Sequence, residues 1–399
     1  MGENRNILTL EEVIAMVGYG YLVSLAIILL STKVLGDLTK KVSMPQVVGA
    51  LLAGILVGPS CLGLIAETEF IVYAAEIGVI LLMFTAGLET DVNEFKQNGL
   101  ACIVIASIGV IVPLIGGSLC YYIFFDIGNS YNEMLSAVFV GVLLTATSVS
   151  ITVEALREMG KLEGKVGNAI LGAAVLDDII GIIVLTIVSS FKDTSVSVSL
   201  VLMKIGVYII LMCVIGALLL KFKPLIDRRY KKQSITTYAL AACFVISFVS
   251  EEYFGVASIT GAYLLGLFLS THKIKLEVED KVRRPSYLFF SPIFFASVGL
   301  KVEIDGLTKE LLLFSLILLM VAILTKIIGC GLGAKLCKFS ARESLQVGVG
   351  MVSRGEVALI VAQKGYAMGL MPATLFPPII LVVIATTILP PIILKKIMT

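Results

Sequence analysis

The sequence predicts an all-α polytopic membrane protein of about thirteen transmembrane helices, and three observations carry that prediction. The 399 residues are 58% apolar and 15% charged, against roughly 25% charged in soluble domains, and mean hydropathy is +1.02. The apolar residues gather into thirteen segments. The basic residues fall almost entirely on alternate connections between those segments. A net charge of +2 gives no basis for nucleic-acid binding.

In order, the segments cover residues 13–35, 45–63, 68–88, 98–125, 133–156, 165–191, 197–222, 235–250, 255–271, 286–300, 309–336, 342–364 and 372–394. About 20 apolar residues cross a bilayer. Segments interrupted by Gly or Pro remain viable where neighbouring helices satisfy the freed backbone groups. The run at 13–35 is too long for a cleaved signal peptide and reads as a span. The seven cysteines, Cys61, Cys102, Cys120, Cys213, Cys243, Cys330 and Cys337, fall mostly within apolar runs and form no CxxC pair. They read as small packing residues.

Loop charge sets the expected orientation. With the N-terminus outside, 23 Lys and Arg fall on inside connections and five (Arg5, Lys192, Lys301, Lys309, Lys364) on outside ones. Lys204, Lys326 and Arg354 lie within spans, which accounts for all 31. This asymmetry predicts an odd number of spans and a C-terminus inside. The inside run Lys221–Lys232 carries six basic residues. They satisfy the orientation rule, with a contact to anionic lipid as the alternative reading. His272, the only histidine, falls at an inside helix end and reads as a cationic loop residue, with pH sensing as the alternative.

An internal repeat is also present. The stretch Gly49–Val57 resembles Gly261–Leu269, and Leu82–Val92 resembles Phe294–Ile304, both at an offset of 212 residues. The offset moves each span by seven, an odd number, so the two copies have opposite orientation in the membrane. Spans one to six then mirror spans eight to thirteen, with span seven as the link. Inverted repeats of this kind occur in secondary transporters, whose sites lie near mid-membrane between the repeats. The row Ala50, Gly54, Gly58 puts small residues on one helix face and predicts close helix packing within the chain.

Four polar features fall near span centres: Asp177 and Asp178 in span six, Thr145–Ser150 in span five, Lys326 in span eleven, and Ser353, Arg354 and Glu356 in span twelve. A charged group at the bilayer centre costs at least ~2.5–3.5 kcal/mol, so such groups are functional candidates. Four hydroxyls in six residues, and three glycines beside an Arg/Glu pair, both suit local unwinding of the helix. Half-helix ends carry about 0.5 of a unit charge and can face ions. Arg354 and Glu356 also read as a structural pair that stabilises the break.

Adjacent helix residues project about 100° apart, so Asp177 and Asp178 cannot face one point. That argues against an intramembrane aspartyl protease, whose carboxylates converge on one water. One acid is free to pair with a basic residue, for which Lys326 is the obvious choice, while the other faces a polar cavity. A carboxylate beside hydroxyls holds either a proton or a hard monovalent cation. Competition between the two, with access alternating between the sides, is exchange without a cofactor. The chain therefore reads as a transporter and not an enzyme.

The motifs Thr147-Ser-Val-Ser150, Leu176-Asp-Asp-Ile179, Lys326 and Gly350-Met-Val-Ser-Arg-Gly-Glu-Val-Ala358 resemble the monovalent cation:proton antiporter-2 family in its sodium/proton branch, over nearly the whole chain. The resemblance implies the sodium/proton antiporter fold, with two crossing broken helices and a homodimer in the cell membrane that serves pH homeostasis. It divides the single transmembrane domain, 1–399, into scaffold and dimer helices (13–92 and 235–304), core helices (98–191 and 309–394) and a linker helix (197–222). The core moves like an elevator against the scaffold.

Carried over residue by residue, the resemblance makes Asp178 the main site for Na⁺ (or Li⁺) and H⁺. Asp177 pairs with Lys326 in one state and contributes to the Na⁺ site, with Thr147 and Ser148 beside the ion. The glutathione-gated potassium branch carries Gln-Asp in place of Asp-Asp and a nucleotide-binding domain after the membrane part. The pair Asp177–Asp178, and a chain ending about five residues past the last span, favour the sodium branch. The alternatives are K⁺/H⁺ exchange and a cation channel or sensor on the same fold.

Overall fold

In the computed structural model the described residues are 20–42, 44–90, 92–125, 131–192, 197–228, 234–301 and 308–398, and they are nearly all helical. The helices are α1 (Gly20–Lys41), α2 (Gln46–Val57), α3 (Glu69–Glu89), α4 (Val92–Phe124), α5 (Tyr131–Thr145), α6 (Val149–Glu158), α7 (Lys165–Ser190), α8 (Val198–Lys221), α9 (Lys223–Asp227), α10 (Ser234–Glu252), α11 (Ser258–Leu269), α12 (Lys275–Pro285), α13 (Ser291–Leu300), α14 (Lys309–Leu336), α15 (Ala341–Gly350), α16 (Glu356–Ala367) and α17 (Phe376–Met398). Among the described residues, nine stretches are long and apolar enough to cross a bilayer, α5 and α6 counting as one, and α2 and α11 are shorter apolar helices. The segments containing α13 and the α15–α16 pair complete the thirteen expected from the sequence.

Hydroxyl caps start several of these helices. The Thr68 side chain accepts from Ile71 N, Ser197 from Leu200 N, and Thr308 from Leu311 N. Ser340 and Glu343 form a reciprocal capping box on α15. Each cap satisfies an amide that the first turn leaves without a partner.

Several boundaries differ from the sequence reading: segment two is helical only to Val57, short of residue 63, and segment four begins at Val92, ahead of residue 98. Segment one continues to Lys41, beyond residue 35, because Lys33 and Asp37 pair one turn apart at 3.0 Å and hold the helix in the polar zone. Residues 13–19 lie outside the described residues. The connection at 273–284 is not a loop but α12, which runs through a π-turn at Ser286–Phe290 into α13. The ion pairs Lys281–Glu277 and Arg284–Asp280 support it, and Val278 and Val282 are buried beneath. Its dense charge hid that amphipathic pattern.

His272, read as a loop residue, is buried instead. It is 3% exposed, and its Nε2 lies 3.2 Å from the Leu219 carbonyl near the end of α8. Four cysteines are buried, but Cys61 and Cys213 are exposed and do not pack a core. Part of the basic 221–232 run forms α9, and residues 229–232 lie outside the described residues.

The repeat is visible in the packing. Helix α11 lies along α3, and α13 lies along α2. At the first crossing a Cβ built on Gly266 would collide with the Phe84 carbonyl, and one on Gly87 with the Tyr263 carbonyl. At the second, a Cβ on Gly54 would collide with the Ala296 carbonyl, and one on Gly299 with that of Leu51. Gly54 and Gly266 are 212 residues apart, as are Gly87 and Gly299, so the two crossings exchange under the repeat. The small-residue row of α2 therefore packs within the chain, as expected. Replacing Gly54 by Ala is expected to cost ~1–3 kcal/mol, since two backbones in contact must separate. Gly206→Ala, which faces open space, serves as the control, and thermal unfolding in detergent compares them.

One apolar cluster joins α4, α5, α7, α14, α16 and α17 through Phe139, Leu144, Phe314, Leu318 and Val383. Helix α14 lies along α4. Lys40, Lys161 and Lys395 line one cavity, which marks one end of the bundle as basic. Lys192 and Lys301 follow helices that run the other way.

Candidate functional site

Two helices are broken where they cross. Helix α5 stops at Thr145 and α6 begins at Val149; α15 stops at Gly350 and α16 begins at Glu356. The non-helical strands between them touch: Ser148 N donates to the Ser353 carbonyl at 2.7 Å. A Cβ on Gly355 would lie 2.8 Å from Ser148 Oγ, so glycine permits this approach.

Breaking a helix inside a bilayer frees carbonyls that must find donors. At the end of α5, Arg354 donates to the Leu144 carbonyl at 2.6 Å and Lys326 to the Thr145 carbonyl at 2.8 Å. At the end of α15, hydroxyls do the same work. Thr152 donates to the Gly350 carbonyl at 2.7 Å, and Thr147 to the Met351 carbonyl at 3.4 Å. Arg354 also donates to the Val352 carbonyl at 3.2 Å, and the Thr387 hydroxyl donates to the Arg354 carbonyl. Two cations thus meet the negative end of one half-helix, where the peptide dipoles favour them.

Lys326 is fully buried. Its Nζ lies 3.0 and 3.2 Å from the Asp177 carboxylate oxygens and 3.0 Å from the Gly109 carbonyl, besides Thr145. An ammonium has three N–H donors, so these three partners satisfy it. The Gly109 carbonyl is available because residue 113, one turn on in α4, is a proline and has no N–H to give it. Lys326 therefore repairs two breaks in the backbone ladder and balances one buried acid.

Asp177 is 2% exposed. Asp178, the next residue on α7, is half-buried. The Thr147 hydroxyl also hydrogen-bonds Asp177, and the Arg354 guanidinium is near enough to act on it electrostatically. Ser148 and Ser150 hydroxyls lie 3.2 Å apart, and the Ser353 and Thr152 hydroxyls 3.0 Å apart. The structure thus gathers Asp177, Lys326, Thr147, Ser148, Ser353 and Arg354 at one crossing. Arg354 spends its hydrogen bonds on carbonyls. The Glu356 side chain, and with it the expected Arg354–Glu356 pair, lies outside the described residues.

Three participants were not singled out from the sequence: Gly109, Thr152 and Thr387. Thr145 was singled out for its hydroxyl, but it meets Lys326 through its carbonyl. Pro113 was the available signal for Gly109, since a mid-span proline frees the carbonyl one turn before it. Thr152 and Thr387 are ordinary threonines in apolar runs. Their partners lie 198 and 33 residues away, and nothing local marks them.

Comparison with known proteins accords with this geometry. Residues 23–399 match the family described as "Sodium/hydrogen exchanger, transmembrane". The chain is 40% identical over 383 residues to the Na⁺/H⁺-K⁺ antiporter GerN of Bacillus cereus, covering 94% of this chain and 96% of that one. It is 37% identical over 376 residues to a Na⁺/H⁺ antiporter of Enterococcus hirae, covering 93% and 96%. Its fold matches the sodium proton antiporter MjNhaP1 of Methanocaldococcus jannaschii with a TM-score of 0.69 at 17% identity, covering 94% of each chain. A multi-pass helical membrane protein with inverted repeats and crossed broken helices, the chain belongs to the sodium/hydrogen exchanger family.

Proposed function

We propose that the chain is a secondary antiporter that exchanges Na⁺ or Li⁺ for H⁺ across the cell membrane. Asp178 carries either the cation or the proton, with Thr147 and Ser148 beside it, and Asp177 contributes in the state where it leaves Lys326. The observation that carries this reading is the unequal placement of two adjacent acids. Asp177 is buried and held by Lys326, whereas Asp178, about 100° round the helix, is half-buried at the same level. A half-buried carboxylate in the middle of a membrane span can be reached by a hydrated ion and still lies within the bilayer.

The loop-charge asymmetry supports an outside N-terminus and an inside C-terminus. On that reading the basic end of the bundle is cytoplasmic. The scaffold helices are α1–α3 and α10–α13, the core is α4–α7 and α14–α17, and α8 links them. The core slides against the scaffold, whose outer face forms a homodimer. Ser353, Arg354 and Glu356 hold the second break open.

K⁺/H⁺ exchange is the second reading, favoured by the similarity to GerN, a Na⁺/H⁺-K⁺ antiporter. Dequenching of a pH dye in everted vesicles on addition of Na⁺, Li⁺ or K⁺ separates the two. The proposal expects Na⁺ and Li⁺ to dequench strongly and K⁺ weakly. Equal or greater dequenching by K⁺ would favour the second reading, and none with any cation would point to a channel or sensor. Repeating the assay with the membrane potential clamped tests electrogenicity, for which two protons per cation are expected.

A further inference from the structure

Helix α6 begins at the crossing and ends ten residues later at the basic end of the bundle, with residues 149–156 all buried. A ten-residue helix is a rigid rod of about 15 Å. At its far end two consecutive side chains reach two different helices. Arg157 donates through Nε to Glu89 Oε2 at 3.1 Å and through its guanidinium to Thr85 Oγ1 at 3.0 Å, both on α3. Its remaining terminal nitrogen is held 3.1 Å from Glu154 on α6 itself. Glu158 accepts from the backbone amides of Gln46 at 2.6 Å and Val47 at 3.0 Å, the first residues of α2. Pro45 precedes that helix and supplies no side-chain cap, so a carboxylate from another part of the fold caps it.

These contacts border open space. Cavities of about 290 Å³ and 430 Å³ lie beside them, the first lined by Thr32, Gln46 and Glu154 and the second by Arg157, Arg283 and Tyr287. At the opposite end the same two groups of helices meet through apolar side chains. There Leu51, Ile55 and Val298 face Leu359, Ile380 and Ile384 across a gap of about 10 Å³. One end is shut by apolar packing, and the other stands open around two polar grips.

We propose that Arg157 and Glu158 form a clasp that fixes α6, and through it the ion-binding crossing, to α2 and α3 in this state, and that the clasp must release for the site to change sides. The proposal rests on the reading that core helices move against scaffold helices. It assigns Arg157 and Glu158 as positioning residues that never touch the ion. Both grips suit release: water in the adjoining cavities can solvate the freed carboxylates, guanidinium and amides.

The test uses the full chain in proteoliposomes, with its native cysteines replaced. Glu89→Cys with Arg157→Cys is joined by a short bis-methanethiosulfonate reagent. Exchange is expected to fall at least tenfold and to return on reduction; undiminished exchange in the joined protein overturns the clasp. Ile55→Cys with Ile384→Cys, joined in the same way across the apolar gap, serves as the comparison. If that link arrests exchange and the first does not, the clasp fails alone. If neither arrests it, the reading of moving domains fails with it.

Arg157→Gln supplies a readout that loss of stability would not produce. With Leu359→Cys in the apolar gap, labelling by a membrane-impermeant maleimide is expected to rise at least threefold when the clasp is weakened. Unchanged labelling in folded protein contradicts the proposal.

Discussion

Asp178→Asn is expected to reduce cation-driven dye dequenching to that of protein-free liposomes while leaving the folded protein intact. An amide binds neither a proton nor, with useful strength, a monovalent cation. The proposed exchange requires both, one after the other, on the same oxygen atoms. The side chain is half-buried, and Asn is nearly isosteric with Asp, so the change in stability should stay within ~1 kcal/mol. The measurement pairs a transport assay with thermal unfolding of the same preparation. Loss of transport with an unchanged unfolding temperature supports the assignment. Full activity of the variant removes Asp178 from the site.

Lys326→Ala should act in the opposite sense, on the fold first. It strips the partner from a carboxylate that is 2% exposed and the donors from the Gly109 and Thr145 carbonyls. Removing one member of a buried ion pair typically costs ~3–5 kcal/mol. The two orphaned carbonyls add to that, because buried acceptors without donors pay their desolvation in full. The double variant Asp177→Asn/Lys326→Ala should regain part of the loss by removing the uncompensated charge, but not all of it, since both carbonyls still lack a donor. A double-mutant cycle on unfolding temperature reads the coupling. A Lys326→Ala protein as stable as the parent would mean that the pair contributes nothing in this state.

Much of this was legible in the sequence for identifiable reasons. Thirteen apolar segments announce themselves because lipid tolerates little else. The breaks in spans five and twelve were visible as hydroxyls and glycines where leucine belongs. The shared offset of 212 residues was visible because close helix crossings admit only small residues, and Gly54, Gly87, Gly266 and Gly299 mark them. What could not be read is which distant groups meet. The Gly109 carbonyl reaches Lys326 across 217 residues, and Thr152 reaches Gly350 across 198. No periodicity encodes such pairs. Helix α12 was hidden for a different reason: its run of charges reads as a loop until two buried valines are recognised as its inner face. The clasp was hidden because Glu89, Arg157 and Glu158 look like ordinary loop charges at span ends.

The central claim is that one carboxylate serves proton and cation in turn. It is tested most directly by the pH dependence of the apparent KM for Na⁺ in proteoliposomes with equal pH on both sides. If H⁺ and Na⁺ compete for Asp178, KM should rise as pH falls, by up to about tenfold per pH unit once the carboxylate is mostly protonated, with the maximal rate at saturating Na⁺ little changed. A KM independent of pH, with only the maximal rate falling in acid, would show that proton and cation occupy separate groups and would contradict the account.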